Sequence, residues 1–302
     1  MDFVTEDVSG ANGLALDSHG NLFVASWERG LITKITAEGT TTPFAIVPDD
    51  TFMQGLAIDQ QDNLFATSAR KNLIYKFTRE GTRSEFASFS DGLANPTALC
   101  FDRQGNLLVS NGKADGHAFS STILKFAPDG TFSVFAHTGM GYTFGLAIDN
   151  QGFVYAGDLH GDVVKKYSAD GLSSWHFADT HMDDPAGIAF DSAGNLLVAN
   201  FGDHTIASFT PEGVGSYFAT TGLGGPNFIA VAKASPSAAP SIINVELREG
   251  PALQLEWSSQ DGQTFTLERS GNLTDWETIA TALPATGTRT TYIDRSFSTR
   301  PR

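Results

Sequence analysis

The sequence predicts an all-β fold, namely a β-propeller of five complete blades plus an incomplete sixth, followed by a small partial β-sandwich. A short apolar segment that ends in aspartate recurs five times, and consecutive copies lie 42 to 47 residues apart. Repeats of this length with short strands are typical of propellers. The 31 glycines and 23 phenylalanines also suit short strands joined by tight turns. The five copies are Gly13–Asp17, Gly55–Asp59, Ala98–Asp102, Gly145–Asp149 and Gly187–Asp191.

Each copy predicts one blade of four antiparallel strands. The first strand is the apolar run, the second follows a glycine turn such as 18–21, and the third, as in 32–35, alternates apolar and polar residues. A strand packed on both faces is apolar throughout, so the first strand is predicted to be innermost. The predicted blades are 13–53, 55–94, 97–143, 145–184 and 187–225.

Two residue types repeat with the blades. The aspartate is predicted to hold the following turn through its carboxylate, with a catalytic role as the alternative. A phenylalanine in each fourth strand is predicted to fill the core between blades. The five are Phe44, Phe86, Phe135, Phe177 and Phe218.

The two ends of the repeat region predict half of a sixth blade. Residues 2–5 match a fourth strand, and residues 226–231 match a first strand. We expect the missing second and third strands to lie in a segment upstream of this chain. The alternative is a ring of five blades with two loose strands.

The propeller is predicted to span residues 1–232, with a small-residue and proline-containing linker at 233–241. Residues 242–302 contain alternating runs typical of a small β-sandwich. The segments 255–257 and 264–267 resemble early strands of a fibronectin type III-like module of the kind found in secreted bacterial proteins. The module is predicted to be truncated.

Charge and composition exclude several functions. The formal net charge is −15, which repels phosphate backbones and anionic headgroups, so we expect no nucleic-acid partner. The longest apolar runs are too short to cross a membrane, so we expect no membrane insertion. The single cysteine, Cys100, lies among strand residues and is predicted to be a buried, unreactive thiol.

Candidate site residues lie where second strands end, because this end of a propeller surrounds the channel mouth. The third blade has six additional residues after Asn111, and this longer loop contains His117. Loops on a rigid scaffold are common binding sites. We therefore predict a ligand site bordered by Asn111, His117, Asp158, His160 and Asn200, with Ser26 and Ser68 completing a polar ring. Turn capping by the ring residues is the alternative.

The repeats resemble the NHL-repeat family and, more loosely, the gluconolactonase/senescence-marker propellers. The second resemblance implies a divalent cation, and it implies that Asn12, which precedes Gly13, and Asp158 would be among its ligands. The early glutamate motif of those enzymes is not found here.

Two functions therefore remain open. The first is an extracellular binding or scaffold propeller that recognises a small molecule or a protein partner on its channel face, with no catalytic residue and no cofactor assigned. The second is a hydrolase or lactonase that depends on a divalent cation such as calcium. In either case we expect a secreted or periplasmic protein whose signal peptide would lie upstream.

Overall fold

The structure is a computed structural model that describes residues 10–37, 39–48, 50, 52–112 and 121–231, together with the backbone of five strands between 242 and 294. The chain divides into two compact units, Met1–Lys233 and Ala234–Arg302. In the first unit, five antiparallel sheets of four strands follow one another along the chain. This confirms an all-β propeller of five blades.

Each blade uses four consecutive strands in sequence order. The first blade contains β1 (Ala11–Leu16), β2 (Leu22–Ser26), β3 (Leu31–Ile35) and β4 (Thr41–Ile46). The second contains β5 (Met53–Ile58), β6 (Leu64–Ser68), β7 (Leu73–Phe77) and β8 (Arg83–Ala87), and a short 3-10 helix follows at Phe89–Asp91. The third contains β9 (Pro96–Phe101), β10 (Leu107–Asn111), β11 (Thr122–Phe126) and β12 (Phe132–His137). The fourth contains β13 (Thr143–Ile148), β14 (Val154–Asp158), β15 (Val163–Tyr167) and β16 (Ser174–Ala178). The fifth contains β17 (Pro185–Phe190), β18 (Leu196–Asn200), β19 (Thr205–Phe209) and β20 (Gly215–Ala219).

The first strands begin one or two residues earlier than predicted. In the first blade, Ala11 already pairs with Ser26, and a bulge lies between Ala11 and Leu14. The same irregularity recurs where Met53 pairs with Ser68. A bulge lets the strand bend while keeping the pairing on both sides of it. The residue before each repeated glycine therefore belongs to the sheet rather than to a loop.

The repeated aspartate holds its turn, as predicted. In the third blade, the Asp102 carboxylate accepts hydrogen bonds from the backbone N–H groups of Gln104 and Asn106, at 3.0 and 2.8 Å, and from Asn106 Nδ2 at 2.7 Å. Lys125 Nζ lies 3.2 Å from the same carboxylate. Burial alone would raise the pKa of Asp102, but the Asn106 hydrogen bonds and the Lys125 charge hold it below its usual value.

Most of the repeated phenylalanines fill the core between blades. Phe44 meets Phe23 of its own blade edge-on, with ring centroids 4.8 Å apart, and Phe77 of the next blade at 6.2 Å. Phe218 is the exception, since it is 66% exposed. The prediction that Phe218 is core is wrong, because no complete blade of the described chain follows the fifth to cover it.

The repeated glycine is needed because neighbouring first strands approach each other closely. A Cβ built on Gly145 would collide with the backbone carbonyl oxygen of Ala186 on the next blade. Gly13 and Gly55 face the same obstacle at Gln54 and Thr97. Glycine is therefore the residue that permits this spacing of the inner strands.

Two hydroxyl groups link first strands across blades. Thr67 Oγ1 accepts from the Gly55 N–H at 2.8 Å and donates to the Thr97 carbonyl of the next blade at 2.7 Å. Ser110 Oγ likewise accepts from the Ala98 N–H at 2.8 Å and donates to the Phe144 carbonyl at 3.0 Å. These bonds satisfy buried backbone groups at the bulges.

The segment after the fifth blade lies beside β17, the inner strand of that blade. The Gly187 N–H donates to the Asn227 carbonyl at 2.7 Å, so this segment lies where a further first strand would lie. Residues 2–5, which were predicted to form the fourth strand of that blade, lie outside the described residues. The sixth blade therefore stays a prediction.

The described part of the second unit contains five strands. They are β21 (Ile242–Arg248), β22 (Ala252–Ser258), β23 (Thr264–Ser270), β24 (Trp276–Pro284) and β25 (Arg289–Asp294). Three of them form one sheet in the order β21-β22-β25, and β23 pairs with β24. The β-sandwich and its fibronectin type III-like character stay predictions, and the predicted linker at 233–241 lies outside the described residues.

Cys100 is partly buried among residues that pack between the third and fourth blades. Burial, with a smaller contribution from the Asp102 carboxylate, raises the pKa of its thiol to about 12. Since the thiolate is the reactive form, this supports the predicted unreactive thiol. Among the described residues, no helix is long and apolar enough to cross a membrane.

Candidate functional site

The candidate site lies at the end of the propeller where first strands begin and second strands end, which we call the channel face. Loops between second and third strands, and loops that lead into the next first strand, meet at this end. The predicted site residues Asn111, Asp158 and Asn200 are the last residues of β10, β14 and β18. The structure thus brings them to the predicted end of the propeller at equivalent positions.

The side chains at these positions are turned into their own loops. Asn111 is fully buried, where it accepts from the Ala94 N–H at 2.6 Å and donates to the Gly92 carbonyl at 3.0 Å. Asn200 is also fully buried, and its Nδ2 donates to the His181 carbonyl at 2.8 Å. This is the capping alternative, and ligand binding by these residues stays a prediction.

Asp158 caps the loop that precedes β13. One carboxylate oxygen accepts from the Gly141 N–H and the other from the Tyr142 N–H, both at 3.0 Å. The residue is 5% exposed. Its carboxylate therefore fixes the position of Tyr142, the residue that leads into the channel.

In each of the first two blades, an amide side chain is buried near the beginning of the first strand. Asn12 and Gln54 are 4% and 5% exposed, and neither Asn12 Oδ1 nor Gln54 Oε1 has a donor within the described chain. Gly13 packs against the Gln54 carbonyl, so the two residues are neighbours. An unsatisfied buried polar group costs about 1–3 kcal/mol. A ligand hydroxyl that donated to these oxygens would recover part of that cost.

The equivalent positions of the other three blades are occupied by Thr97, Phe144 and Ala186. After the fifth blade, Asn227 takes this place and Phe228 follows it. The rings of Phe144 and Phe228 lie 5.5 Å apart. The inner strands therefore bring both amide groups and aromatic rings to this end of the propeller, and sites for small amphipathic molecules combine groups of these two kinds.

A row of rings connects the channel to the predicted residue His160. Phe144 lies 6.0 Å from Tyr142, and Tyr142 stacks on His160 at 5.8 Å with an interplanar angle of 26°. His160 is a rim residue whose side chain is 67% exposed, and its Nδ1 lies 3.9 Å from Asp184 Oδ1. The arrangement places an imidazole beside a phenol and a carboxylate at the channel mouth.

Tyr142 is held in a protonated state. Burial raises the pKa of its phenol, while a hydrogen bond from Asn95 Nδ2, 3.0 Å long, partly offsets this effect. Because Asn95 occupies an acceptor position of the phenolic oxygen, the Tyr142 proton remains available for a ligand.

Asn95 and Asp184 occupy equivalent places and share an unusual backbone. Both have positive φ, 55° and 51°, a conformation in which asparagine and aspartate are the favoured non-glycine residues. The Asn95 N–H donates to Asn72 Oδ1 at 2.6 Å, and the Asp184 N–H donates to Asp162 Oδ1 at 2.9 Å. Each bond joins neighbouring blades and positions a rim residue.

Other candidates do not join this group. His117 and the longer loop at 113–118 lie outside the described residues. His181 packs edge-on against Tyr217 at 4.9 Å, and no group of three or more His, Cys, Asp or Glu in the described chain is arranged to hold a metal.

Two cavities of about 250 and 220 Å³ lie between neighbouring blades at the opposite end of the propeller. Both are lined by residues of the repeated turns, among them Asp102 and Gln104. Their recurrence from blade to blade indicates that they follow from the repeat itself.

The sequence reasoning identified His160 but missed Tyr142, Asn95 and Gln54. Their common signal lies in the loop before each first strand. Aligning the repeats groups Asn95 and Tyr142 three residues before the glycine position, and it places Gln54 directly before that position.

The comparisons with known proteins support a particular family. The family described as SMP-30/Gluconolactonase/LRE-like region matches residues 49–222, more than half of the chain. A search of curated protein sequences finds no match.

Several solved structures share the fold. A gluconolactonase from Xanthomonas campestris is 16% identical, with a TM-score of 0.63 over 82% of this chain and 83% of that one. Virginiamycin B lyase from Staphylococcus aureus is 15% identical, with a TM-score of 0.58 over 91% and 85% of the two chains. An aldose sugar dehydrogenase from Streptomyces coelicolor is 18% identical, with a TM-score of 0.60 over 85% and 90%. At these identities the likeness concerns the fold alone.

Proposed function

Since the chain belongs to the SMP-30/gluconolactonase/LRE-like family, we propose that it is a lactonase-like hydrolase that opens the ring of a small hydroxylated lactone at the channel face. The observation that carries the proposal is the group Tyr142, His160 and Asp184 at the mouth of a channel that contains two unpartnered amide oxygens. The binding or scaffold role that the sequence favoured has no direct support from the family match. The lactonase alternative is the better supported reading.

Each part of the channel face has a role in this proposal. Asn12 Oδ1 and Gln54 Oε1 accept hydrogen bonds from substrate hydroxyls, which satisfies two buried acceptors. Phe144 and Phe228 cover the apolar face of the lactone ring. The ester carbonyl then lies toward Tyr142, whose protonated phenol donates to the oxygen that gains negative charge in the transition state.

His160 is the general base. Because its Nδ1 faces the Asp184 carboxylate, Nε2 is the nitrogen that accepts a proton from water. The water oxygen bonds to the carbonyl carbon as the proton passes to Nε2. The ring C–O bond then breaks, and the imidazolium returns the proton to the departing alkoxide. The product is a hydroxy acid, which ionises in solution.

Asp184 and Asn95 are positioning residues. The negative charge of Asp184 favours the imidazolium that forms on His160, and Asn95 orients the Tyr142 hydroxyl through its 3.0 Å hydrogen bond. Their positions depend in turn on Asp162 and Asn72 of the neighbouring loops.

The divalent cation implied by the family resemblance does not fit the described residues. Asp158, one of the two implied ligands, uses both carboxylate oxygens on backbone N–H groups of its own loop. The remaining oxygens of Asn12 and Gln54 are neutral, whereas calcium sites in proteins are built around carboxylates. We therefore derive no step through a cation.

The proposal is tested by measuring acid release from hydroxylated five- and six-membered sugar lactones in a pH-stat, corrected for spontaneous hydrolysis. We expect ring opening in proportion to the concentration of the full chain. The unsubstituted γ-butyrolactone should be a poorer substrate, because it lacks hydroxyls for Asn12 and Gln54. Rates are measured both with added calcium and with a chelator. No ring opening above the blank in either buffer would overturn the proposal.

A further inference from the structure

An arginine at the channel face is held by stacking on an aromatic ring. Arg70, in the loop after β6, places its Cζ 3.6 Å from the centre of the Phe52 ring. Phe52 in turn meets Trp27 of the first blade edge-on, with centroids 4.5 Å apart. Two aromatic residues from neighbouring loops therefore form a platform under one guanidinium group.

The platform leaves the donors of Arg70 available. Arg70 is exposed, and within the described residues no carboxylate oxygen lies within 4.0 Å of its nitrogens. Stacking occupies the face of a guanidinium, whereas its N–H donors lie in the plane and point outward. A planar anion can therefore bind edge-on with two hydrogen bonds.

The lysine side chains of the repeated turns, unlike Arg70, lie close to carboxylates. Lys34, Lys125 and Lys166 lie 3.9, 3.2 and 3.8 Å from the repeated aspartates of their own blades. They belong to the turns at the opposite end of the propeller. Arg70 is at the channel face and has no such carboxylate within the described chain.

Three basic residues of the channel face, Arg29, Arg70 and Lys71, lie in the loops of the first two blades. Glu28 is exposed in the same loop as Arg29, and Asp50, just before the second blade, is buried. Within the described residues neither carboxylate forms an ion pair with Arg70. The guanidinium therefore keeps its charge available to attract an anionic ligand.

We propose that Arg70 is an anion subsite, and that the substrate is a sugar lactone which also carries a carboxylate or phosphate group. This inference rests on the proposed lactonase function, since it places the anion at Arg70 and the lactone ring between Gln54 and Tyr142. Phe52, two residues before Gln54, joins the subsite to the channel. Arg70 is thus a specificity residue and takes no part in bond breaking.

The kinetic test compares the five-membered-ring lactones of gluconic acid and glucaric acid, which differ in a carboxylate. We expect the wild-type chain to favour the glucaric lactone by about tenfold in kcat/KM, the effect of one charged hydrogen-bonded pair. Arg70→Gln should remove this preference through KM, with kcat unchanged. Arg103→Gln, an exposed arginine in a turn at the opposite end, is the matched control and should keep the preference.

Direct binding separates this inference from the proposed function. Calorimetry is run with gluconate, glucarate and gluconate phosphorylated at its terminal hydroxyl. We expect the anionic ligands to bind about tenfold more tightly than gluconate, with the stronger of the two identifying the anion, and this gain should vanish in Arg70→Gln. If the anionic ligands bind in this way but no lactone is hydrolysed, the proposed anion subsite at Arg70 stands and the proposed lactonase function is overturned. Hydrolysis without any effect of Arg70→Gln on preference or binding would overturn the subsite and leave the lactonase.

Discussion

Replacing His160 with alanine is expected to lower kcat for lactone hydrolysis by about 10²–10⁴-fold, which is the usual contribution of a general base. KM should change little, because the substrate hydroxyls are bound by Asn12 and Gln54 rather than by the imidazole. The measurement is the initial rate of acid release by the variant and the wild-type chain. Added imidazole should restore part of the activity, which a merely structural role of His160 would not explain.

The chain offers a matched control for this substitution. His176 lies on the outer strand β16, and its Nε2 is 3.5 Å from Asp179 Oδ2. It is also exposed and also paired with a carboxylate, but it is far from the beginnings of the first strands in its blade. His176→Ala should leave the rate unchanged. Equal rates in the wild-type chain and His160→Ala would remove His160 from the mechanism.

Replacing Gly145 with alanine is expected to lower the free energy of unfolding by about 3 kcal/mol, at the upper end of the usual cost of overpacking. The reason is that the added Cβ meets the backbone carbonyl of Ala186, and a backbone atom cannot rotate away. The fourth and fifth blades must separate to accept it. Urea unfolding would measure the loss, and we expect the melting temperature to fall by about 6–12 °C.

Gly224 provides the control, since nothing lies within 4 Å of a Cβ built on it and its φ is not positive. Gly224→Ala should change stability by less than about 0.5 kcal/mol. If Gly145→Ala were equally harmless, the close approach of first strands would not be what requires the repeated glycine.

The blades could be predicted because each copy contains its own local signals. The aspartate and glycine of each turn, the apolar first strand and the alternating third strand recur with the same spacing, so five copies reinforce one assignment. Phe218 shows where this reasoning fails. Its neighbours along the chain match those of Phe44, but its burial depends on a following blade, and repetition alone does not reveal which blade is last.

The candidate site was less predictable because it depends on contacts between repeats. Polar residues at the ends of second strands, such as Asn111, lie at the predicted end of the propeller and cap their loops, while ligand binding by them stays a prediction. The residues that approach the channel are those where the repeats differ, with Asn12 in one blade and Phe144 in another. Their side chains come together through the ring of blades, at sequence separations that no local pattern indicates.

The backbone conformation of the loops before the first strands could not be predicted from the sequence either. Asn95 and Asp184 lie at the same distance from the glycine position of their blades, but the sequence does not reveal that both have positive φ. The Asp184 carboxylate lies 3.9 Å from His160 Nδ1, and this contact joins two loops that are far apart in the sequence.

The most direct test of the proposed site is a crystal structure of the His160→Ala variant soaked with a sugar lactone that the wild-type chain hydrolyses. We expect ring hydroxyls within hydrogen-bond distance of Asn12 Oδ1 and Gln54 Oε1, and the ester carbonyl oxygen beside the Tyr142 hydroxyl. A lactone bound instead in the cavity between the second and third blades, beside Asp59 and Lys76 at the opposite end, would contradict it.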